Sequence, residues 1–186
     1  ITATSLEALH AAAERAGVAA ARICSKLGIT RASLAEPGAV VPLRTMTDAW
    51  LLVPAASGQP GFGLHAAEGM PAGAYGMLEE AVVSSATALE AFERATRYHR
   101  VTCRMSEVAL RVGQEQLVFA SRSFALASDA ELRHFNEHAL AFIATRLRLL
   151  AHGLAPLRVS FAHPAPADTR EHQRIFQCVP EFGAPE

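Results

Sequence analysis

The feature of this sequence that most limits its fold is a change of hydrophobic period near residue 101. Before that point the apolar residues follow a helical rhythm, and glycines and prolines divide it into short segments. After it, residues 101–112 and 116–126 are rich in Val, Leu and Phe. The two runs are joined by Gly113-Gln114-Glu115, which is typical of a β-hairpin. The chain must therefore accommodate both helices and paired strands.

Three capping boxes, each a hydroxyl residue followed three positions later by Glu, predict helix starts at Thr4, Thr87 and Ser128. The longest predicted helix follows the third box and runs from about 129 to 152. Another begins near Leu43 and should end or kink at Pro54, because proline lacks the amide donor. The other helices are predicted at about 5–16, 18–27, 62–67, 75–84, 87–100 and 168–178.

The order of these elements predicts an α+β fold with a helical N-terminal half. A small, mostly antiparallel sheet is expected from the hairpin at about 101–126 and a strand at about 157–161. The 186 residues, 51% of them hydrophobic, predict a single domain over 1–186 and exclude intrinsic disorder. No apolar run is long enough to cross a membrane, and the net charge of −1 gives no basic field for nucleic acid. Three cysteines without metal-ligand spacing favour a reducing, cytoplasmic location.

One motif has catalytic character, the H-x-x-E-H string from His134 to His138. It sets two imidazoles one helical turn apart, with Glu137 as a candidate base, as in an inverted zinc-peptidase motif. On the helical wheel, however, His134 lies nearly opposite the apolar stripe and His138 lies at its margin. We therefore expect solvated histidines, no metal, no other cofactor and no enzymatic activity. The same wheel places Asn136 and Arg146 on the apolar side.

Charged and aromatic residues in apolar surroundings are better candidates for ligand binding. Arg122 shares a predicted strand face with Val118 and Phe124, and a buried guanidinium needs an anionic partner. That partner is either a carboxylate of the protein, with Glu79 and Glu80 as candidates, or a ligand anion. A dry pocket with one Arg would favour a carboxylate ligand, whereas a free Glu79 would favour a cationic amine. The predicted ligand-binding residues are Trp50, Tyr75, Glu79, Arg104, Arg122 and Asn136.

Several short segments together carry a family resemblance. They are Val41-Pro42-Leu43, Gly61-Phe62-Gly63-Leu64-His65, Gly73-Ala74-Tyr75-Gly76-Met77-Leu78, Ser84-Ser85-Ala86-Thr87-Ala88-Leu89-Glu90-Ala91, Arg97-Tyr98-His99, and residues 159–166 and 176–185. In this order and spacing the sequence resembles, over about residues 4–186, the arabinose-binding-type N-terminal domain of AraC-family bacterial transcription regulators. Glu79-Glu80 stands where that family has a Gly-Tyr pair.

The resemblance implies an effector-sensing domain that acts on DNA through a C-terminal helix-turn-helix domain missing from this chain. It also implies a homodimer. A small-molecule effector would bind between the helical half and the hairpin and shift the population of conformations. Because the front half is helical, unlike the β-rich sugar-binding domain of the name-giving regulator, arabinose is not the implied ligand. Two alternatives are a dimerisation or partner-docking module without ligand and, less favoured, a zinc hydrolase using His134 and His138.

Overall fold

The computed structural model, which describes residues 1–36, 38–124, 126–150 and 153–184, confirms a helix-rich α+β fold. Its elements within those ranges are α1 (Ala3–Arg15), α2 (Ala20–Leu27), α3 (Arg31–Leu34), α4 (Leu43–Ser57), α5 (Phe62–Glu68), α6 (Met77–Val83), α7 (Ala88–Thr102), β1 (Ser106–Val112), β2 (Leu117–Ser123), α8 (Arg133–Leu150), β3 (Ser160–Phe161), α9 (Arg170–Phe176) and β4 (Glu181–Phe182). The predicted helix end at His152 lies outside the described residues.

Capping chemistry explains where α7 begins, but not where α1 begins. The Thr87 hydroxyl accepts a hydrogen bond from the Glu90 amide, as the capping box predicts. The box predicted at Thr4 is wrong, because α1 already starts at Ala3 without a side-chain cap. The chain is fixed earlier there, since the Ala3 amide donates to the carbonyl of Ala39 at 2.9 Å. A long-range backbone contact thus satisfies a donor that local capping would otherwise serve.

Helix α4 continues past Pro54 to Ser57, so of the two predicted effects of this proline, an end or a kink, the end does not occur. Pro54 is buried in the last turns of the helix, where it costs one backbone hydrogen bond. Its carbonyl still accepts bonds from the Ser57 hydroxyl at 2.8 Å and from the Gly58 amide at 3.1 Å. Gly58, with φ 62°, then ends the helix in the left-handed conformation that glycine adopts without strain.

The hairpin forms as predicted, although its first strand is shorter because α7 extends to Thr102. Strands β1 and β2 pair antiparallel, from Ser106 opposite Ser123 to Val112 opposite Leu117. The face predicted to be apolar and buried is the exposed one, and Val118 is 50% exposed. The opposite face is covered because Phe92 of α7 packs against Phe119, with ring centroids 5.4 Å apart.

The sequence predicts that the strand near residues 157–161 joins the hairpin in one sheet. In the structure β3 does not pair with the hairpin. It pairs in parallel with β4, so that Ser160 lies opposite Glu181 and Phe161 opposite Phe182. Phe161 stacks on Phe182 within the sheet, with centroids 5.6 Å apart, and its contact with Phe176, at 5.8 Å between centroids, anchors this small sheet to α9. The C-terminal segment therefore completes its own hydrophobic cluster instead of widening the first sheet.

Two hydrophobic clusters hold the helices together. The first joins α1, α2 and α4 around fully buried side chains such as Leu6, Ile23 and Met46. The second joins α5, α8, α9 and β3. Helix α8 contacts both, and it also lies beside β2. In the ranges that the structure describes, we find no helix both long enough and apolar enough to span a bilayer.

Candidate ligand-binding cavity

A cavity of about 130 Å³ lies between α8 and a layer made of α6, α7, β1 and β2. We call this layer the outer lobe. Within it α6 packs on α7, and α7 packs on β1. The lining residues of α8 recur at helical spacing, from Phe135 through Ala139 and Phe142 to Arg146, so one face of the helix forms one wall.

The outer lobe forms the opposite wall, and its lining residues also recur with the period of the helix or strand that carries them. From α7, Ala91, Ala95 and His99 line the cavity at intervals of four residues. From the hairpin, alternation along β2 turns Phe119 and Ser121 inward, and Val108 of β1 lies opposite Ser121 in the register. The walls are therefore mostly apolar, with polar groups at a few defined positions.

Tyr75 and His138 form one of these polar positions. The Tyr75 hydroxyl lies 2.9 Å from Nε2 of His138, which is 2% exposed. Burial lowers the pKa of His138 to about 4 and raises the pKa of Tyr75, so both side chains are neutral at pH 7. The prediction of a solvated His138 is wrong, because α4 supplies Trp50 against its ring, with centroids 4.9 Å apart.

Glu79 and Arg146 form an ion pair at the cavity wall, with Oε1 of Glu79 2.8 Å from Nε of Arg146. Arg146 also donates from Nη2 to the carbonyls of Met70 at 2.9 Å and Pro71 at 2.8 Å, and its guanidinium lies 4.8 Å from the Phe142 ring centroid. The other Glu79 oxygen accepts from the Tyr75 amide at 3.3 Å. Both charges are thus compensated within the protein.

A further polar position joins α7 to β1. Nε2 of His99 lies 3.0 Å from the Ser106 hydroxyl, and both residues line the cavity. Burial lowers the pKa of His99, which favours the neutral imidazole. Sequence reasoning did not select either residue as a binding candidate. The one available signal was that His99 lies in a segment that carries the family resemblance.

The six predicted binding residues lie in different places. Tyr75 and Glu79 line the cavity. Trp50 is buried in α4 and borders a smaller depression that Tyr75 and His138 also line. The other three do not line the cavity; they are Arg104, Arg122 and Asn136.

Two of those three are exposed, and the third ties two elements together. Arg104 and Arg122 have exposed side chains, and Arg122 lies opposite Glu107 in the hairpin register. Asn136 accepts a hydrogen bond from the Ser123 hydroxyl at 2.5 Å, which connects β2 to α8. Contact of any of the six with an effector stays a prediction.

The partner of Glu79 was expected on the hairpin, but it lies on α8. The partner is Arg146, and its place on the apolar side of the helical wheel was the sequence feature that could have identified it. A buried cation on an otherwise apolar face needs a carboxylate nearby. The acidic pair in α6 provides it, because Glu79 is buried whereas Glu80 is exposed.

The two histidines of the H-x-x-E-H motif do not converge on one site. His138 turns to the cavity, whereas Glu137 is buried toward α9, where Nε2 of His172 lies 2.8 Å from its Oε1. His134 is half-buried, and its Nδ1 lies 3.4 Å from the Gly63 amide nitrogen. Among the residues that the structure describes, no three side chains of metal-ligating type could hold an ion. This geometry does not support the zinc-hydrolase alternative.

Glu137 is the centre of a second polar cluster, which joins α8 to the C-terminal segment. Its carboxylate faces His172, His134 at 3.4 Å, Arg133 at 3.8 Å and His163 at 4.0 Å. Burial acts to raise the pKa of Glu137, but hydrogen bonds from His134 and His172 and the charge of Arg133 lower it to about 2. The carboxylate is therefore ionised at neutral pH and lies at the centre of the polar contacts between α8 and the C-terminal segment.

A mostly apolar cavity with a few convergent polar groups is typical of a small-molecule-binding domain. Comparison with protein families agrees, since the model of the N-terminal arabinose-binding domain of AraC transcription regulators matches residues 17–186. The chain belongs to this family, which confirms the resemblance seen in the sequence. The family is one of regulatory ligand-binding domains and not an enzyme family. A comparison with curated proteins finds no match.

Proposed function

We propose that this chain senses a small-molecule effector in the cavity between α8 and the outer lobe, and that occupancy controls an AraC-type DNA-binding domain elsewhere in the regulator. The observation that carries the proposal is the cavity itself, whose two walls come from separate layers of the fold. Family membership supplies the regulatory context. The DNA-binding domain, the homodimer and the cytoplasmic location belong to the same proposal.

The mechanism is a population shift between two separations of the outer lobe and α8. The two layers are connected by the Glu79–Arg146 ion pair and the Ser123–Asn136 hydrogen bond. An effector that contacts both walls binds best at one separation and stabilises it by its differential affinity. A shift of α8 is then transmitted to the C-terminal segment through the contact between Glu137 on α8 and His172 on α9.

The alternative of a docking module without ligand predicts a packed interior and an apolar outer face on α8. Instead, the apolar face of α8 lines the cavity through residues such as Ala139, Phe142 and Ile143. These contacts favour ligand sensing over the alternative. Light scattering after size-exclusion chromatography tests the proposed homodimer separately.

The test of the proposal is a thermal-shift screen with amino acids, polyamines, sugars, fatty acids, aromatic acids and small neutral compounds. A ligand at a hundred times its Kd should add about 2.7 kcal/mol of stability. Ala95→Phe, which fills the cavity from α7, should abolish the shift. The matched control is Ala55→Phe on an exposed position of α4, which should retain it. A shift that persists in Ala95→Phe places the ligand elsewhere and overturns the proposal.

A further inference from the structure

We infer that the effector of this cavity is an uncharged, mostly apolar molecule with one hydrogen-bonding group, and not a sugar, an amino acid or a polyamine. The inference rests on the proposed function, because it concerns the same cavity. It differs from what the family description suggests, since that description names a sugar. Three properties of the walls carry it: their apolar character, their charge balance and their hydrogen bonds.

The walls are suited to contact the apolar part of a ligand, because most of their side chains are aromatic or aliphatic. Aromatic rings come from three elements, with Phe92 on α7, Phe119 on β2 and Phe142 on α8. Aliphatic side chains such as Val82 and Ile143 fill the intervals between them. Apolar protein cavities of roughly 150 Å³ bind benzene, so a body of about one aromatic ring suits the volume of this cavity.

The charges at the walls cancel. Of the side chains that line the cavity, Glu79 and Arg146 are the ionised ones, and they pair with each other. The neighbouring groups Tyr75, His99 and His138 are neutral at pH 7. A carboxylate or ammonium ligand would therefore bring an uncompensated charge into an apolar space, unless it displaced one partner of the buried pair.

The hydrogen-bonding groups of the walls are mostly bonded to each other. Tyr75 bonds His138, and His99 bonds Ser106. Ser121 also lines the cavity, and its hydroxyl makes no hydrogen bond within the described residues. A pentose has several hydroxyls that would each lose water without a partner here, and each such loss costs about 1–3 kcal/mol. A single alcohol, ketone or ester group that faces Ser121 would replace its hydrogen bond to water by one to the Ser121 hydroxyl, so its burial costs little free energy.

The test compares probes that share one phenyl body and differ in the head group. They are 2-phenylethanol, phenylacetate and 2-phenylethylamine, with L-arabinose as the sugar. We expect 2-phenylethanol to bind at least about tenfold tighter than either charged analogue in calorimetric titrations of the chain, and arabinose to give no heat of binding. Tighter binding of a charged probe or of arabinose would overturn the inference and leave the proposed function standing. Silence from all four probes would overturn the inference, whereas the proposed function is tested by the thermal-shift screen and the Ala95→Phe variant.

A charge-switch variant tests the same point from the side of the protein. Glu79→Gln leaves Arg146 without its carboxylate, so the affinity for phenylacetate relative to that for 2-phenylethanol should rise at least about tenfold. The matched control is Glu80→Gln, the adjacent and exposed carboxylate of α6, which should change neither affinity. Circular dichroism checks that both variants fold. A wild-type relative affinity for phenylacetate equal to that of Glu79→Gln would show that the pair does not exclude anions, and would overturn the inference.

Discussion

Gly63 of α5 approaches His134 of α8 so closely that a β-carbon at position 63 would lie 2.1 Å from the His134 carbonyl oxygen. The Gly63 amide also faces Nδ1 of His134 at 3.4 Å. Only a residue without a side chain allows this approach, which sets the distance between the two helices. Because α8 provides one wall of the cavity, the contact also fixes the position of that wall.

Gly63→Ala should therefore destabilise the protein strongly. The new methyl group would meet backbone atoms, which cannot rotate away as a side chain can, so α5 and α8 must separate. We expect the free energy of unfolding to fall by about 3 kcal/mol or more, measured by urea denaturation. The control is Gly61→Ala, where the nearest atom to the new methyl group is in the His65 ring at 3.4 Å. Equal losses in the two variants would contradict the importance of the close approach.

The buried His138 makes stability depend on pH. Because burial lowers its pKa from 6.5 to about 4, the unfolded chain binds a proton between these values and the folded protein does not. This contribution to stability is complete above pH 6.5 and is lost as the pH falls toward 4. It amounts to about 3 kcal/mol at most. Denaturant titrations at several pH values should show the loss.

The double variant His138→Phe with Tyr75→Phe isolates this effect, since it removes both partners of the hydrogen bond and leaves neither group unpaired. Its stability should fall less steeply between pH 6.5 and 4. Some slope should remain, because burial also lowers the pKa of His10, His99 and His163. If the stability of the double variant falls as steeply with pH as that of wild type, His138 is not the source of the pH dependence.

The carboxylate of Glu137 should be a major source of stability, because it compensates several donors between α8 and α9. Glu137→Gln should lower the free energy of unfolding by about 2–4 kcal/mol at pH 7. With a folded pKa of about 2, below its ordinary value of 4.5, the Glu137 contribution is present above pH 4.5 and lost as the pH falls toward 2. Wild type and variant should therefore converge in acid.

Glu171→Gln on α9 is the matched control for that variant. Its carboxylate contacts His65 and Arg174 at the surface, where ion pairs contribute about 0–1 kcal/mol. We expect a change of that size in urea denaturation at pH 7. A cost for Glu137→Gln no greater than that of Glu171→Gln would mean that the buried cluster adds no net stability.

Local signals in the sequence were sufficient to predict most helices, the hairpin and the α+β class. The Thr87 cap and the hairpin turn act over a few residues, so they can be read directly from the chain. The choice of hairpin face could not be read in this way, because both faces of β2 carry apolar side chains. Which face is covered depends on Phe92, which belongs to another element and packs against Phe119.

The cavity could be predicted only in part for the same reason. Tyr75 and His138 are 63 residues apart, and no local pattern pairs them. Glu79 was selected as a buried charge, but its partner was sought on the hairpin and lies on α8. The helical wheel did indicate that Arg146 and Asn136 contact other parts of the fold, since it placed both polar side chains on the apolar side of α8. Both residues contact parts of the fold that are distant in sequence.

Adjacent residues on β2 offer a direct test of which hairpin face binds the effector. Phe119 lines the cavity, whereas Val118 and Arg122 point from the opposite, exposed face. Phe119→Ala should weaken 2-phenylethanol binding by about tenfold or more in calorimetric titrations, because it removes one aromatic wall. Val118→Ala and Arg122→Ala should leave the affinity within about twofold of wild type. If Arg122→Ala weakens binding as much as Phe119→Ala does, the effector lies on the exposed face, and the binding role predicted for Arg122 from the sequence regains support over the cavity.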